Sequence, residues 1–294
     1  MRRFVLESQP LRGQWVHLGP AWRELRACRS YPPVVASLLG EAATATVLMA
    51  ATLKFEGTLT LQFAGSGRVG LLVAQCTDGF QLRAIAHHDL AASEAVGFGQ
   101  LVGAGRLVVT VQSEQSGANY QGIVPLEGES LAACLERYFE SSEQLPTRLM
   151  LAADGERAGG MLLQKLPSAA VGGEGSGALL QQAWEDLRSG LDSLSPEQLL
   201  SAAAEDSLRR VFGAHDCRLF GTTPVRFACR CSNVRVSNLV RSLGEEEARA
   251  ALASEGVLTV TCEFCGREYR YDAVDIAQLF AADGHLQQPP GGFN

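Results

Sequence analysis

Two short cysteine pairs, Cys229-Arg230-Cys231 and Cys262-Glu263-Phe264-Cys265, decide the fold of the C-terminal part of this chain. Each pair offers two sulfurs from one short turn of backbone. Two such pairs complete the tetrahedral shell of four thiolates that is typical of structural zinc. Gly266 follows the second pair and permits the tight backbone turn of a zinc knuckle. We therefore predict one bound Zn²⁺, with these four cysteines as its ligands.

A shell of four thiolates leaves no open position for water or substrate, which indicates a structural site and not a hydrolytic one. We therefore do not expect an enzyme. The surrounding domain is small, so zinc would supply folding free energy on the order of 10 kcal/mol. Clustered thiolates are also oxidisable, and closure of either pair into a disulfide would release the metal. A disulfide within CxC closes a short, constrained loop, and strained disulfides tend to be the ones that form and break reversibly.

Composition limits the class of protein. The 294 residues are 46% hydrophobic and 19% charged, and they carry a net charge of −7. That balance favours folded domains and argues against a nucleic-acid binder. An acidic residue, Glu7, interrupts the start of the chain, so no export signal is predicted. Eight cysteines then indicate a reducing cytoplasm, where clustered thiols are more often metal ligands or redox groups than structural disulfides.

The apolar segment 34–53 has the length of a membrane span. Glu41 interrupts it, and alanine and threonine outnumber leucine and isoleucine. We predict a buried helix of a soluble domain and no membrane contact.

Residues 1–170 are predicted to form an α+β domain rich in antiparallel sheet, because short strand-like segments alternate with Gly- and Asp-containing turns. The predicted strands cover 13–18, 58–63, 69–75, 81–86, 106–111, 121–124, 148–153 and 160–166. The predicted helices cover 21–29, 33–53 and 130–141.

A glycine-rich break opens a linker, 171–224, that changes from flexible to helical. Ser195 and Gln198 match a capping box, and Gly213 is a plausible helix stop. Residues 180–220 carry an apolar face. The zinc domain follows at 225–294, with a strand before the second cysteine pair, another after it, and a helix capped by Asp272.

Other motifs favour simpler interpretations. The glycines of 65–70 match GxGxxG, but a strand follows them where a dinucleotide site needs a helix, so we predict a hairpin. His87 and His88 would point to opposite faces of a strand, so they do not converge easily on a metal ion or a proton. We predict a polar turn at the end of that strand. Cys28, Cys76 and Cys134 are isolated in apolar surroundings and are predicted to be core thiols. Cys217, near His215 and Asp216, lacks a nearby partner cysteine, and we predict that it is not a ligand.

Further motifs extend the cysteine signature along the chain. They are Val225-Arg226-Phe227-Ala228-Cys229-Arg230-Cys231-Ser232, Cys262-Glu263-Phe264-Cys265-Gly266, Arg241-Ser242-Leu243-Gly244, Tyr271-Asp272-Ala273-Val274-Asp275-Ile276, Lys54-Phe55-Glu56-Gly57, Gln62-Phe63-Ala64-Gly65-Ser66-Gly67, Tyr120-Gln121-Gly122-Ile123-Val124 and Gly160-Met161-Leu162-Leu163-Gln164. In this combination the chain resembles, over nearly its whole length, the redox-regulated holdase chaperones of the bacterial thirty-three-kilodalton heat-shock protein family.

The resemblance implies a cytoplasmic chaperone that needs no ATP and is inactive while reduced and zinc-bound. Oxidants would form the disulfides Cys229–Cys231 and Cys262–Cys265 and release zinc. The zinc domain and linker would then unfold, and client proteins that are unfolding or oxidatively damaged would bind. The active form would be a homodimer that prevents aggregation under oxidative and heat stress.

Two other functions stay open at this point. One is a zinc-ribbon module with a constitutive metal that binds nucleic acid or protein, although the acidic balance disfavours its nucleic-acid version. The other is a thiol–disulfide oxidoreductase that uses Cys262 and Cys265. That chemistry requires the cysteine pair at a helix N-terminus of a thioredoxin-like domain, whereas a strand precedes the pair here.

Overall fold

The chain folds into two units, as shown by a computed structural model. The structure describes residues 1–7, 9–89, 91, 96–113, 119–167, 176–201, 204–213 and 215–284. Its contacts separate Met1–Ala228 from Cys229–Asn294. The fold is α+β with antiparallel sheets, as predicted. The bounds of the three segments expected from the sequence, 1–170, 171–224 and 225–294, stay a prediction.

The first unit contains most of the strands. Those within the described residues are β1 (Arg2–Leu6), β2 (Leu11–His17), β3 (Gly57–Gly65), β4 (Val69–Thr77), β5 (Gln81–His88), β6 (Gly105–Ser113), β7 (Asn119–Pro125), β8 (Thr147–Ala153), β9 (Ala158–Lys165), β10 (Cys217–Leu219) and β11 (Arg226–Phe227). The helices are α1 (Gly19–Ala27), α2 (Pro33–Thr52), α3 (Phe98–Val102), α4 (Leu131–Tyr138), α5 (Ser176–Asp192), α6 (Pro196–Ser201) and α7 (Ala204–Phe212), and one π-helical turn spans Phe139–Glu143.

These strands form two sheets. The first sheet has the order β10-β1-β2-β9-β8, and all of its neighbours are antiparallel. The second sheet has the order β11-β5-β4-β3-β6-β7. Only β11 pairs in parallel there, beside β5. The GxGxxG glycines lie at the β3–β4 hairpin, as the sequence predicted.

Helix α2 lies between the two sheets and contacts both of them. Its small residues permit close packing: a Cβ on Gly40 would collide with the Cβ of Ala153 and crowd the Trp22 ring. The helix is long and apolar enough to cross a membrane, but 83% of that apolar stretch is buried inside the fold. It is the core helix of this unit, as predicted.

Helices α5, α6 and α7 cover the outer face of the first sheet. Strand β9 is consequently buried on both faces: Leu162 joins the core around α2, whereas Met161 and Leu163 join the core beneath the three helices. The predicted capping box starts α6, since Ser195 N–H donates to Gln198 Oε1 at 3.0 Å and Gln198 N–H donates to Ser195 Oγ at 3.2 Å. The apolar face predicted over this segment therefore packs against the sheet.

The second unit is small. Its described elements are α8 (Asn233–Leu243), α9 (Glu245–Glu255), β12 (Leu258–Thr261), β13 (Glu268–Tyr271) and α10 (Ala273–Gly284). Asp272 caps α10, as predicted, by accepting from Val274 N–H at 2.8 Å and Asp275 N–H at 2.9 Å. The buried hydrophobic residues of its described part are Val236, Val240, Ala248, Tyr269, Tyr271, Ile276 and Leu279.

Candidate metal centre

The first cysteine pair stands just before a helix. Cys229 and Cys231 precede Ser232, whose Oγ accepts from Arg235 N–H at 3.3 Å and so caps α8. Serine at this position satisfies a backbone donor that the first turn of a helix leaves free. The cap fixes where the helix begins and thereby holds Cys231 beside the helix N-terminus.

The second pair occupies the turn between β12 and β13. Cys262 N–H donates to Arg267 O at 2.9 Å, and Gly266 N–H donates to Cys262 O at 2.8 Å. Gly266 has φ = +69°, in the left-handed region that glycine adopts without strain. These contacts close the knuckle predicted from the sequence, and they direct Cys262 and Cys265 to the same side of the hairpin.

The structure brings the four cysteines together. Their sulfurs all lie within 4.8 Å of one another. Two of the separations between the pairs are 3.5 Å, from Cys229 to Cys262, and 3.4 Å, from Cys231 to Cys265. With Zn–S bonds of about 2.3 Å, the edge of a tetrahedron is ~3.8 Å. The arrangement can therefore hold one metal ion of that size without a change of fold.

Backbone donors around the sulfurs favour thiolates. Cys229 Sγ accepts from the N–H of Cys231, and Cys265 Sγ accepts from the N–H of Arg267. Burial opposes ionisation of Cys231, but its contacts with Tyr269 and with the other three sulfurs outweigh burial and lower the pKa of Cys231 to about 7. Burial and the neighbouring sulfurs raise the pKa of Cys265 instead. A bound cation would favour the thiolate form of all four sulfurs, because metal binding to cysteine releases the thiol protons.

No second group of this kind occurs within the described ranges. Cys76 and Cys134 are buried core thiols, as predicted. Cys28 is half-exposed at the end of α1, so its prediction as a core thiol was wrong; its Sγ is 3.3 Å from Glu24 O, one helical turn back. Cys217 lies on β10 against the core under α5–α7, apart from the cluster. His87 and His88 end β5 and join no metal-binding group.

Sequence reasoning missed two side chains beside the sulfurs. Tyr269 contacts Cys231, and Arg267 contacts Tyr269. The alternation of exposed and buried residues along β13 places Tyr269 on its inner face. That alternation is visible in the sequence, but the neighbour that the ring would meet is not.

The fold and the cluster define a class: an α+β protein of two units, the smaller of which presents four cysteines able to hold a metal ion. The family model described as Hsp33 protein matches residues 1–272. With curated relatives near 40% identity, this match shows that the chain belongs to the Hsp33 family.

The relatives match over almost their full length. The 33 kDa chaperonin of Methylobacillus flagellatus is 38% identical to this chain. The match covers 96% of this chain and 94% of the relative. That of Azotobacter vinelandii is 41% identical, with coverages of 96% and 95%. The crystal structure of the 33 kDa chaperonin from Thermotoga maritima superposes with a TM-score of 0.80 at 20% identity, covering 97% of this chain and 99% of that one. This last likeness shows the fold.

Proposed function

We propose that the protein is a redox-regulated, ATP-independent holdase chaperone. In this proposal the reduced form holds zinc and is inactive, whereas the oxidised form binds unfolding proteins and prevents their aggregation. The observation that carries it is the cluster of four sulfurs within 4.8 Å, built from two local pairs. Membership of the Hsp33 family, whose relatives carry the name chaperonin, supports the client-binding part.

Zinc is the proposed metal because four sulfurs in a tetrahedral arrangement suit it, and because it is itself redox-inert. When bound, it would crosslink the two cysteine pairs and stabilise the second unit by an amount on the order of 10 kcal/mol. That contribution matters here because the described part of this unit buries few large apolar side chains. Small domains of this kind depend on a crosslink or a metal for stability.

Oxidation would remove the donor sulfurs. Two thiols and one molecule of peroxide give one disulfide and two molecules of water, so each closed pair loses two ligands. The proposed disulfides are Cys229–Cys231 and Cys262–Cys265. With both pairs closed, none of the four cysteines keeps a thiolate, and the second unit loses the crosslink on which its folding depends.

The proposed client surface lies under the linker helices. Trp184, Leu187 and Phe212 of α5 and α7 pack with Trp15 and Met161 of the first sheet. Displacement of these helices would expose two apolar faces at once, one on the helices and one on the sheet. A contiguous apolar surface of this kind is a typical protein-binding site. We propose that unfolding of the second unit releases the linker and uncovers this surface.

The proposed setting is the cytoplasm under oxidative and heat stress. The partners would be unfolded or oxidatively damaged proteins and, in the active form, a second copy of the chain. The acidic net charge of −7 disfavours nucleic acid as a partner.

The test compares two preparations of the full chain without ATP. One is reduced and zinc-loaded, and the other is treated with peroxide at heat-shock temperature. Light scattering follows the aggregation of a guanidinium-unfolded client diluted into each preparation. We expect suppression only by the oxidised preparation. Equal suppression by both would indicate a constitutive binding module instead.

A further inference from the structure

Tyr269 carries a buried hydroxyl that lacks a well-aligned partner. Only 6% of the residue is exposed, and Tyr269 Oη is out of contact with water. Its neighbour on the same face of β13, Tyr271, is satisfied, since its hydroxyl lies 3.2 Å from Ser237 Oγ. A buried donor without a partner is costly in free energy, so its persistence calls for an acceptor in the functional state.

The acceptor nearest to hand is a cysteine sulfur. The Tyr269 hydroxyl lies near Cys231 Sγ and the Arg267 side chain but completes a hydrogen bond with neither. Cys231 packs against the small core that includes Tyr269, and all three residues line one polar cleft.

The strength of this contact depends on the form of the sulfur. A protonated thiol is a weak acceptor, whereas a thiolate is a strong one, and hydrogen bonds to charged groups are roughly twice as strong as neutral ones. A metal-bound Cys231 thiolate would therefore complete the hydrogen bond that the phenol lacks. Partners of this kind orient the ligands of a metal and tune its affinity.

We propose that Tyr269 is a positioning residue of the metal centre that donates its O–H to Cys231 Sγ and so slows oxidation and metal release at that sulfur. The donated hydrogen bond withdraws electron density from the thiolate, which makes it a poorer nucleophile toward peroxide. The inference rests on the proposed zinc site. It adds a residue that sets how easily the site is lost.

The test uses the full chain with Tyr269→Phe, and with Tyr271→Phe as a matched control. The control removes a hydroxyl from the same strand and the same cleft, but one bonded to Ser237. Zinc affinity is measured by competition with a chromogenic chelator, and the rate of zinc release is measured under a fixed excess of peroxide. The Co²⁺-substituted proteins report the sulfur-to-cobalt charge-transfer band.

We expect Tyr269→Phe to lower zinc affinity roughly tenfold, as is typical for loss of such a partner. Its zinc release should be several-fold faster, its charge-transfer band should shift, and alkylation of Cys231 should rise relative to Cys262. Tyr271→Phe should match the wild type in all four measurements. Equal behaviour of the two variants, whether unchanged or impaired alike, would overturn the inference.

A second substitution keeps the fold and works in the opposite direction. Replacing Tyr269 with 3-fluorotyrosine, a stronger hydrogen-bond donor of nearly the same size, should slow zinc release below the wild-type rate. Unchanged or faster release would count against the role given to Tyr269. Failure of the wild-type chain to bind zinc would instead refute the proposed function, so the two failures are distinguishable.

Discussion

Arg148 Nη2 lies 2.6 Å from Oδ1 of Asp192, the last residue of helix α5. The same guanidinium donates through Nη1 to both carboxylate oxygens of Glu136 on α4, at 2.9 Å each. Arg148 belongs to β8, at the edge of the first sheet. One cation thus joins the sheet, a core helix and the end of the first helix that covers the proposed client surface.

Arg148→Met should loosen this covering helix. The substitution leaves Glu136 without its counter-ion. Burial already raises the pKa of this carboxyl. We expect a loss of about 1–3 kcal/mol in the free energy of unfolding, mostly from the stranded carboxylate. In the reduced, zinc-loaded protein, binding of a hydrophobic dye should rise above the wild-type level.

The control is Arg157→Met, which breaks a 2.9 Å ion pair with Asp154 in the β8–β9 turn. That pair is partly exposed and lies within a single turn, so its loss should leave dye binding at the wild-type level. A rise of equal size in both variants would show that Arg148 has no specific part in holding the helix.

Glu41 should make the first unit less stable as the pH rises. Although the side chain keeps some contact with solvent, burial raises the pKa of its carboxyl from 4.5 to about 7. The folded state therefore binds more protons than the unfolded state between these values, and stability falls as pH rises through that window. The full loss is at most ~3 kcal/mol at 1.36 kcal/mol per pKa unit.

Glu41→Gln removes this titration. The free energy of unfolding of the variant, minus that of the wild type, should increase by about 2 kcal/mol as the pH rises from 5 to 8. Urea unfolding followed by tryptophan fluorescence measures this difference. A constant difference between the two proteins across that range would show that the carboxyl does not titrate with a raised pKa.

Gly13→Ala should destabilise the first sheet. A Cβ at this position would collide with the Phe4 ring and stand 2.5 Å from the backbone oxygen of Leu162, which cannot move aside. We expect a loss of about 1–3 kcal/mol in thermal or urea unfolding. Gly70→Ala is the matched control, because no heavy atom would lie within 4 Å of its new Cβ. Equal losses would contradict the packing described here.

Cys262→Ser should remove zinc and unfold the second unit. An alcohol is a poor replacement for a thiolate ligand, and in the proposed function the fold of this unit depends on the zinc crosslink. We expect less than one zinc per chain by elemental analysis and rapid proteolysis of residues beyond Ala228. Cys217→Ser, outside the cluster, should keep the zinc and the protease resistance of the wild type. Loss of zinc in both variants would implicate Cys217 as a ligand.

Local signals made much of the fold predictable. Helix α2, the β8–β9 hairpin, the Ser195 capping box and the Asp272 cap all depend on residues close in sequence. The spacing of the cysteines likewise indicated that they would meet. Their role as ligands stays a prediction.

Long-range pairing was not predictable in the same way. Strands β1 and β10 pair Phe4 with Leu219, and neither short segment has enough periodicity to indicate a partner so distant in the chain. Nothing in the sequence foretold that Tyr269 would approach Cys231. The short strand β11 and helix α8, with its exposed Val234, also lack a clear pattern.

In the proposed switch, loss of zinc and gain of client binding are one event. The most direct measurement follows both in a single peroxide time course at heat-shock temperature, with a chromogenic chelator for zinc and light scattering for the client. We expect suppression of aggregation to rise as zinc is released and to be reversed when reductant and zinc are restored. Complete release of zinc with no change in suppression would contradict the proposed switch.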